Sequence, residues 1–437
     1  MGPLYPLLSA ASCLLLLFIH SSCTPTAERS TGTVHVDYAD STGYHLVRNG
    51  QPFVVKGGAG ANHLPLLKEL GGNTVRVYDP AKLEATLEQA ETLGLAVVAD
   101  IPLPAYYRGE DYVGLSQPGL TDSVLAVVDR FRDHPALLFW MLGNEVFTEG
   151  YDRAYMKRYN ALARAVREHD PNHPISTGVI PHQLLKLKIS LTGPDVDFLS
   201  LNIFGNLSNF DQLKKYLTPI WRGPYLISEW SFNGPWEAEN TLWGAPIESP
   251  SPTKATHLAE RYRRDLADPE SDRMLGDLVF YWGQKYERTP TWFSLLSPEG
   301  AVSEMAFALG NIWQGRQLPF PGPRVEYLLL NEMGARDNIF LTPGAEATAT
   351  VRYLTEPVGN LTVRWEIRAE DWLGRGEVGA GPEALPGLFK STSLTEATFQ
   401  APLAPGPYRI LYQVMDTAGY FATANIPFYV LSPAHAK

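Results

Sequence analysis

The chain has only two cysteines, Cys13 and Cys23, and both lie within its first 27 residues. Everything that follows therefore folds without disulfides and without thiolate metal ligands. Histidine is scattered: no His-x-His or His-Glu-x-x-His arrangement groups imidazoles in the manner of a metal hydrolase, so no metal is expected, and no organic cofactor either. Basic residues form no block, and 36 Lys and Arg stand against 47 Asp and Glu, a net charge of −11. A nucleic acid or an anionic membrane surface finds little to hold on such a chain. A neutral polymer meets no such obstacle.

Residues 1 to 27 read as an export leader, because the apolar run Leu14 to Ile19 is followed by small residues at Ser21, Ser22 and Cys23. That run is too short to span a bilayer. Cys23 after small residues has the pattern of a lipidated N-terminus, with Thr24 to Gly32 as a polar tether; His20 and the lack of Lys or Arg before the apolar run fit a simple cleaved leader instead. The expectation is an exported protein of the cell envelope, in which a lipid at Cys23 supplies the contact with a membrane. The alternative is a periplasmic or secreted one.

Between Val34 and Gly315, short β-branched runs alternate with helical patterns, the sign of a parallel sheet with crossover helices. Eight strands can be counted: Phe53 to Gly58, Asn73 to Tyr78, Ala96 to Ile101, Leu137 to Leu142, Pro174 to Val179, Phe198 to Ile203, Pro224 to Ser228 and Asp277 to Trp282. Eight such strands close into a (β/α)8 TIM barrel. The stripes Leu83, Leu87, Ala90, Leu93 and Tyr155, Tyr159, Leu162, Val166 each occupy one helix face and belong to its core.

After the proline-rich Gln317 to Pro323 the pattern changes to alternating strands, clearest at Leu361 to Ile367 and again at Tyr408 to Val414 and Ala422 to Val430. A small β-sandwich of immunoglobulin type is expected there. The chain thus divides into a leader and tether (1–32), a barrel (33–317) and a sandwich (324–437).

Two apolar segments end in glutamates: Trp140-Met141-Leu142-Gly143-Asn144-Glu145 and Leu226-Ile227-Ser228-Glu229-Trp230. In the strand count they close the fourth and seventh strands at the end where barrel enzymes build their sites. Two carboxyls projecting from rigid elements into one cleft suit glycosidic bond cleavage, in which one group protonates the leaving oxygen and the other attacks the anomeric carbon. Aromatic faces stack on sugar rings, and Trp230, Trp236 and Trp282 are the candidates for the cleft.

At these residues the chain resembles glycoside hydrolase clan A, whose retaining barrel enzymes carry the acid/base on strand four and the nucleophile on strand seven. The resemblance covers roughly residues 50 to 315. It implies that Glu145 is the acid/base, Asn144 a ligand of the sugar 2-hydroxyl, and Glu229 the nucleophile. It also implies that Arg76, in Gly72-Asn73-Thr74-Val75-Arg76-Val77-Tyr78, lies beneath the nucleophile and keeps it ionised, and that Trp282 is a platform on strand eight. Leu201-Asn202-Ile203-Phe204 departs from the strand-six pattern at the residue after Asn202, where a tyrosine is expected.

Within the clan, Val47 to Phe53 resembles a family 2 catalytic domain without its leading modules, and Asn73 to Asp79 with Gly143 to Val146 equally resembles β-1,3-glucanosyltransferases. The activity implied is hydrolysis of β-linked glycosides or polysaccharides by double displacement, with an oligo- or polysaccharide as partner. Transglycosylation within the clan, or carbohydrate binding at a cell surface without catalysis, are the competing readings.

Overall fold

The structure is a computed structural model; it describes residues 33–106, 114–147, 151–181, 193–218, 221–267, 272–371 and 381–432. The leader, with Cys23, lies outside the described residues, as does most of the segment between the fifth and sixth barrel strands. Among the described residues no helix is long and apolar enough to cross a membrane.

The chain enters through a three-stranded antiparallel sheet, β1 (Val34–Ala39), β2 (Gly43–Arg48) and β3 (Gln51–Phe53). Asn49 and Gly50 turn between β2 and β3 with φ of 52° and 73°, the left-handed pair that a two-residue hairpin needs. The backbone nitrogens of Val34 and Tyr44 donate to the carbonyls of Asn172 and Asp272, which precede two barrel strands. This sheet therefore covers the N-terminal end of the barrel and leaves the opposite mouth open.

The barrel itself is β4 (Val55–Ala59), β5 (Thr74–Val77), β6 (Ala96–Ile101), β7 (Leu137–Asn144), β8 (Ile175–Val179), β9 (Phe198–Asn202), β10 (Tyr225–Trp230) and β11 (Met274–Phe280), all parallel and closed by pairing of β11 with β4. Their residues are almost wholly buried, because side chains on one face fill the barrel and those on the other meet the helices. Helix Leu83–Leu93 buries Leu83, Leu87 and Ala90 and stops at Gly94, whose φ of 65° ends the helix without Cβ strain. Helix Arg153–His169 begins where the Asp152 carboxylate accepts from the Tyr155 nitrogen, and it buries Tyr155, Tyr159, Leu162 and Val166.

After β11 a short strand, β12 (Val302–Ser303), leads into helix Glu304–Trp313. The strands that follow form two sheets. One comprises β13 (Val325–Leu330), β15 (Glu346–Tyr353), β18 (Glu396–Gln400) and β17 (Phe389–Thr392). The other comprises β16 (Leu361–Ala369), β19 (Gly406–Asp416) and β20 (Tyr420–Val430), with β14 (Phe340–Leu341) and β12 both beside β20. Trp365, Ile367, Phe399, Ile410, Tyr412 and Phe428 fill the space between them, a second core separate from that of the barrel. Because β12 belongs to the chain before the linker, the barrel is sewn into the edge of the sandwich.

Candidate active site

Glu145 and Glu229 line the same cavity, about 810 Å³ in volume, at the C-terminal mouth of the barrel. Arg76 lies beneath them, wholly buried. Its Nη1 donates to Glu229 Oε1 at 2.9 Å, and its Nη2 donates to Asn144 Oδ1 at 2.9 Å. The remaining face of the guanidinium belongs to Asp100, which accepts from Nε at 2.9 Å and from Nη2 at 2.7 Å. Burial alone would lower the pKa of Arg76, but Asp100, Tyr78 and Glu229 raise it above its ordinary value, so the cation is secure.

Tyr78 follows Arg76 by two residues, so β-strand alternation turns both toward the barrel axis. Its hydroxyl donates to Glu229 Oε1 at 2.9 Å, and the Arg76 guanidinium sits 4.3 Å from its ring centre. Burial pushes the Tyr78 hydroxyl well above its usual range, so it remains a donor. The strand-six tyrosine missing at Ile203 thus has a counterpart on strand two, while Phe204 joins the aromatic wall.

Glu229 is only 6% exposed. Burial pushes its carboxyl up to about 7, Arg76 pulls the other way, and Glu145 adds repulsion. Arg76 therefore makes the expected contact and favours the ionised carboxylate, against the opposing effect of burial. One guanidinium serves two carboxylates, and the share left for Glu229 does not outweigh desolvation.

Opposite, Glu145 is aimed by an unusual backbone. Gly143 and Glu145 have φ of 80° and 56°, and the pairing of β7 with β8 shifts register between Met141 and Asn144. A non-glycine residue in that left-handed region costs about 1 kcal/mol or more, and here the Glu145 nitrogen is held by the Gly178 carbonyl at 2.8 Å. Asn202 Nδ2 donates to Glu145 Oε1 at 2.7 Å and to Asn144 Oδ1 at 3.0 Å. Ser228 Oγ fixes that amide by donating to Asn202 Oδ1 at 2.8 Å. A continuous path of hydrogen bonds runs from Glu145 through Asn202, Asn144 and Arg76 to Glu229.

The tryptophan expectations divide. Trp236, 59% exposed, lines the cavity with its ring 5.2 Å from Phe204. Trp230 does not: it follows Glu229 directly, alternation sends it to the other face, and its Nε1 donates to the buried Asp277 at 2.7 Å. Trp282 is also buried away from the cavity, because β11 ends at Phe280 and the chain folds Trp282 down against Gly58 and Trp313. Phe280 and Tyr281 supply the aromatic surface at that place instead.

Several site residues escape a reading of the sequence alone. Asp100 is a carboxylate inside the apolar run Val97 to Ile101, and that incongruity is a usable signal. Glu237, Lys285 and Glu287 come from loops beyond the strand ends and carry no comparable mark. Among the described residues no group of His, Cys, Asp or Glu is placed to hold a metal ion. The arrangement can offer a proton-bearing carboxyl and an attacking carboxylate to one bound molecule with aromatic walls.

Residues 61–233 match the model described as glycosyl hydrolases family 2, TIM barrel domain, a span that contains Arg76, Asn144, Glu145, Asn202 and Glu229. A β-galactosidase of Pectobacterium atrosepticum is 25% identical over 152 residues, covering 30% of this chain and 14% of that protein. Among solved structures, a β-glucuronidase from Ruminococcus gnavus has a TM-score of 0.50 at 15% identity, over 64% of this chain and 52% of its own. A Bacteroides uniformis β-glucuronidase 2 has a TM-score of 0.48 at 14% identity, over 91% and 48%. The chain therefore spans about half the length of these solved relatives and a smaller share of the galactosidase, and its likeness to the Ruminococcus protein is one of fold. Over residues 61–233 the barrel is thus similar to the TIM barrel domain of glycosyl hydrolases family 2.

Proposed function

We propose that this protein is a retaining β-glycosidase that cleaves β-linked glycosides or oligosaccharides by double displacement. Glu229 is the nucleophile, Glu145 the acid/base, and Asn144 a ligand of the sugar beside the reacting carbon. The observation that carries the reading is the hydrogen-bonded path joining the two glutamates across one open cavity, with Arg76 and Tyr78 both on Glu229. A nucleophilic carboxylate needs that support to be held in place and ionised.

The reaction follows from these positions. Glu229 attacks the anomeric carbon while Glu145 gives its proton to the leaving oxygen, so the glycosidic bond breaks as a glycosyl ester forms. Glu145 then takes a proton from water, whose oxygen displaces Glu229 and restores the original configuration. Trp236, Phe204, Phe280 and Tyr281 provide faces for the sugar ring.

A panel of 4-nitrophenyl β-glycosides, followed by proton NMR of the first product, tests this directly. Turnover with a β-configured product supports the reading; an α-configured product or no turnover on any member contradicts it. Analysis of products at high sugar concentration separates hydrolysis from transfer to a second sugar. The leader extends the proposal to an exported enzyme anchored by a lipid on Cys23, which palmitate labelling of wild type and Cys23→Ala would check.

A further inference from the structure

The segment from 231 to 250, which follows β10, has two ends with different partners. At the cavity end, Trp236 packs on Phe204, and Glu237 Oε2 accepts from the nitrogens of Gly205 and Gly234 at 2.8 and 2.9 Å. At the far end, Glu248 is held by Lys254, Thr289 and Thr291 of the barrel chain, and the anchors nearer Glu237 come from the sandwich. Asn338 Oδ1 accepts from the Leu242 nitrogen at 2.7 Å, Trp243 lies edge-on to Phe340 at 5.5 Å, and Arg336 Nε meets Glu239 Oε2 at 2.7 Å. Deeper in, Arg409 Nη2 donates to the Pro246 carbonyl at 2.7 Å while its Nε pairs with the buried Glu370.

These anchors begin two residues after Glu237. We propose that the sandwich is a positioning element for the substrate wall: through Asn338 and Phe340 it fixes segment 231–250 so that Trp236 and Glu237 stand in the cavity, and it thereby sets the affinity for the sugar. A cavity wall built on a loop is only as exact as what holds the loop. The buried Arg409–Glu370 pair gives the grip a rigid base, since neither charge can leave without stranding the other.

The affinity claim rests on the proposed glycosidase activity, whereas the mechanical claim does not, so the experiment has two arms. Asn338 has φ of 55°, which glycine adopts freely, so Asn338→Gly removes the acceptor without straining the turn. Asn338→Asp restores an acceptor oxygen. The full-length wild type, Asn338→Gly combined with Phe340→Ala, and Asn338→Asp are compared by hydrogen exchange and by kinetics on the best glycoside found. The double variant should exchange faster at peptides containing Gly205 and Gly234, with KM raised about five-fold, kcat within two-fold and an unchanged unfolding midpoint. Asn338→Asp should match wild type in each. Wild-type exchange in the folded double variant overturns the proposal whether or not the protein is a glycosidase. Faster exchange with unchanged KM overturns the affinity claim. Should the double variant fail to fold, Arg336→Ala, at an exposed ion pair, is measured in its place on the same terms.

Discussion

Arg76 holds two carboxylates at once, Glu229 at 2.9 Å through Nη1 and Asp100 at 2.7 Å through Nη2, while wholly buried. That division of one positive charge governs the behaviour of the site. Arg76→Ala leaves Asp100 and Glu229 facing each other without a cation, and breaking a buried pair in this way costs about 3–5 kcal/mol. Its unfolding midpoint should fall together with its turnover, in thermal denaturation and steady-state assays on one preparation. Intact stability with full activity would show that the cation is dispensable.

The pH profile follows from Glu229. Attack requires the carboxylate, and burial places its pKa near 7, so kcat/KM should fall about ten-fold for each pH unit below that point. Asp100→Asn leaves Arg76 with one carboxylate to satisfy, which favours the ionised Glu229 and should move the acid limb to lower pH. A limb that stays in place or rises would contradict the shared-cation account.

Tyr78 donates to the same oxygen of Glu229. Tyr78→Phe removes a hydrogen bond to a charged acceptor, worth about 1.5–3 kcal/mol. The acid limb should shift upward, with kcat at high pH reduced by about ten-fold or more. Unchanged kinetics would reduce Tyr78 to a cavity wall.

Gly178 leaves space for Asn144. A Cβ built there would lie 2.4 Å from Asn144 Oδ1, the atom that accepts from both Arg76 and Asn202. Gly178→Ala should therefore lower kcat/KM by about ten- to a hundred-fold, in keeping with the sensitivity of reacting geometry to ångström displacements. Circular dichroism should show the barrel intact, and activity equal to wild type would mean that Asn144 needs no such placement.

All eight barrel strands are legible in the sequence because each is a short run set off by helical patterns and turns, and burial on both faces makes such runs mostly apolar. The same strand count places Glu145 and Glu229 at strand ends, whereas Arg76, Asn144 and Asn202 are singled out by the resemblance to the clan. Trp230 falls outside the cleft by alternation: a residue next to an inward glutamate faces outward. The expectation fails at Trp282 because the end of β11, two residues earlier, depends on how the chain turns toward Asn62 and Trp313. The N-terminal sheet is missed although Asn49-Gly50 is a hairpin signal. The attachment of segment 231–250 to the sandwich is set by tertiary contacts between distant residues, such as Leu242 with Asn338.

The roles of the two glutamates are tested most directly by comparing Glu145→Ala and Glu229→Ala on 2,4-dinitrophenyl β-glycosides with and without azide. A leaving group of that kind needs no protonation, so Glu145→Ala should still form the glycosyl-enzyme, accumulate it, and release β-glycosyl azide at an accelerated rate when azide is added. Glu229→Ala should form no covalent intermediate, visible as the absence of a glycosyl mass adduct on the intact protein, and should yield no β-glycosyl azide. If the two variants behave alike, or if the adduct maps to a residue other than Glu229, the assignment of acid/base and nucleophile is wrong.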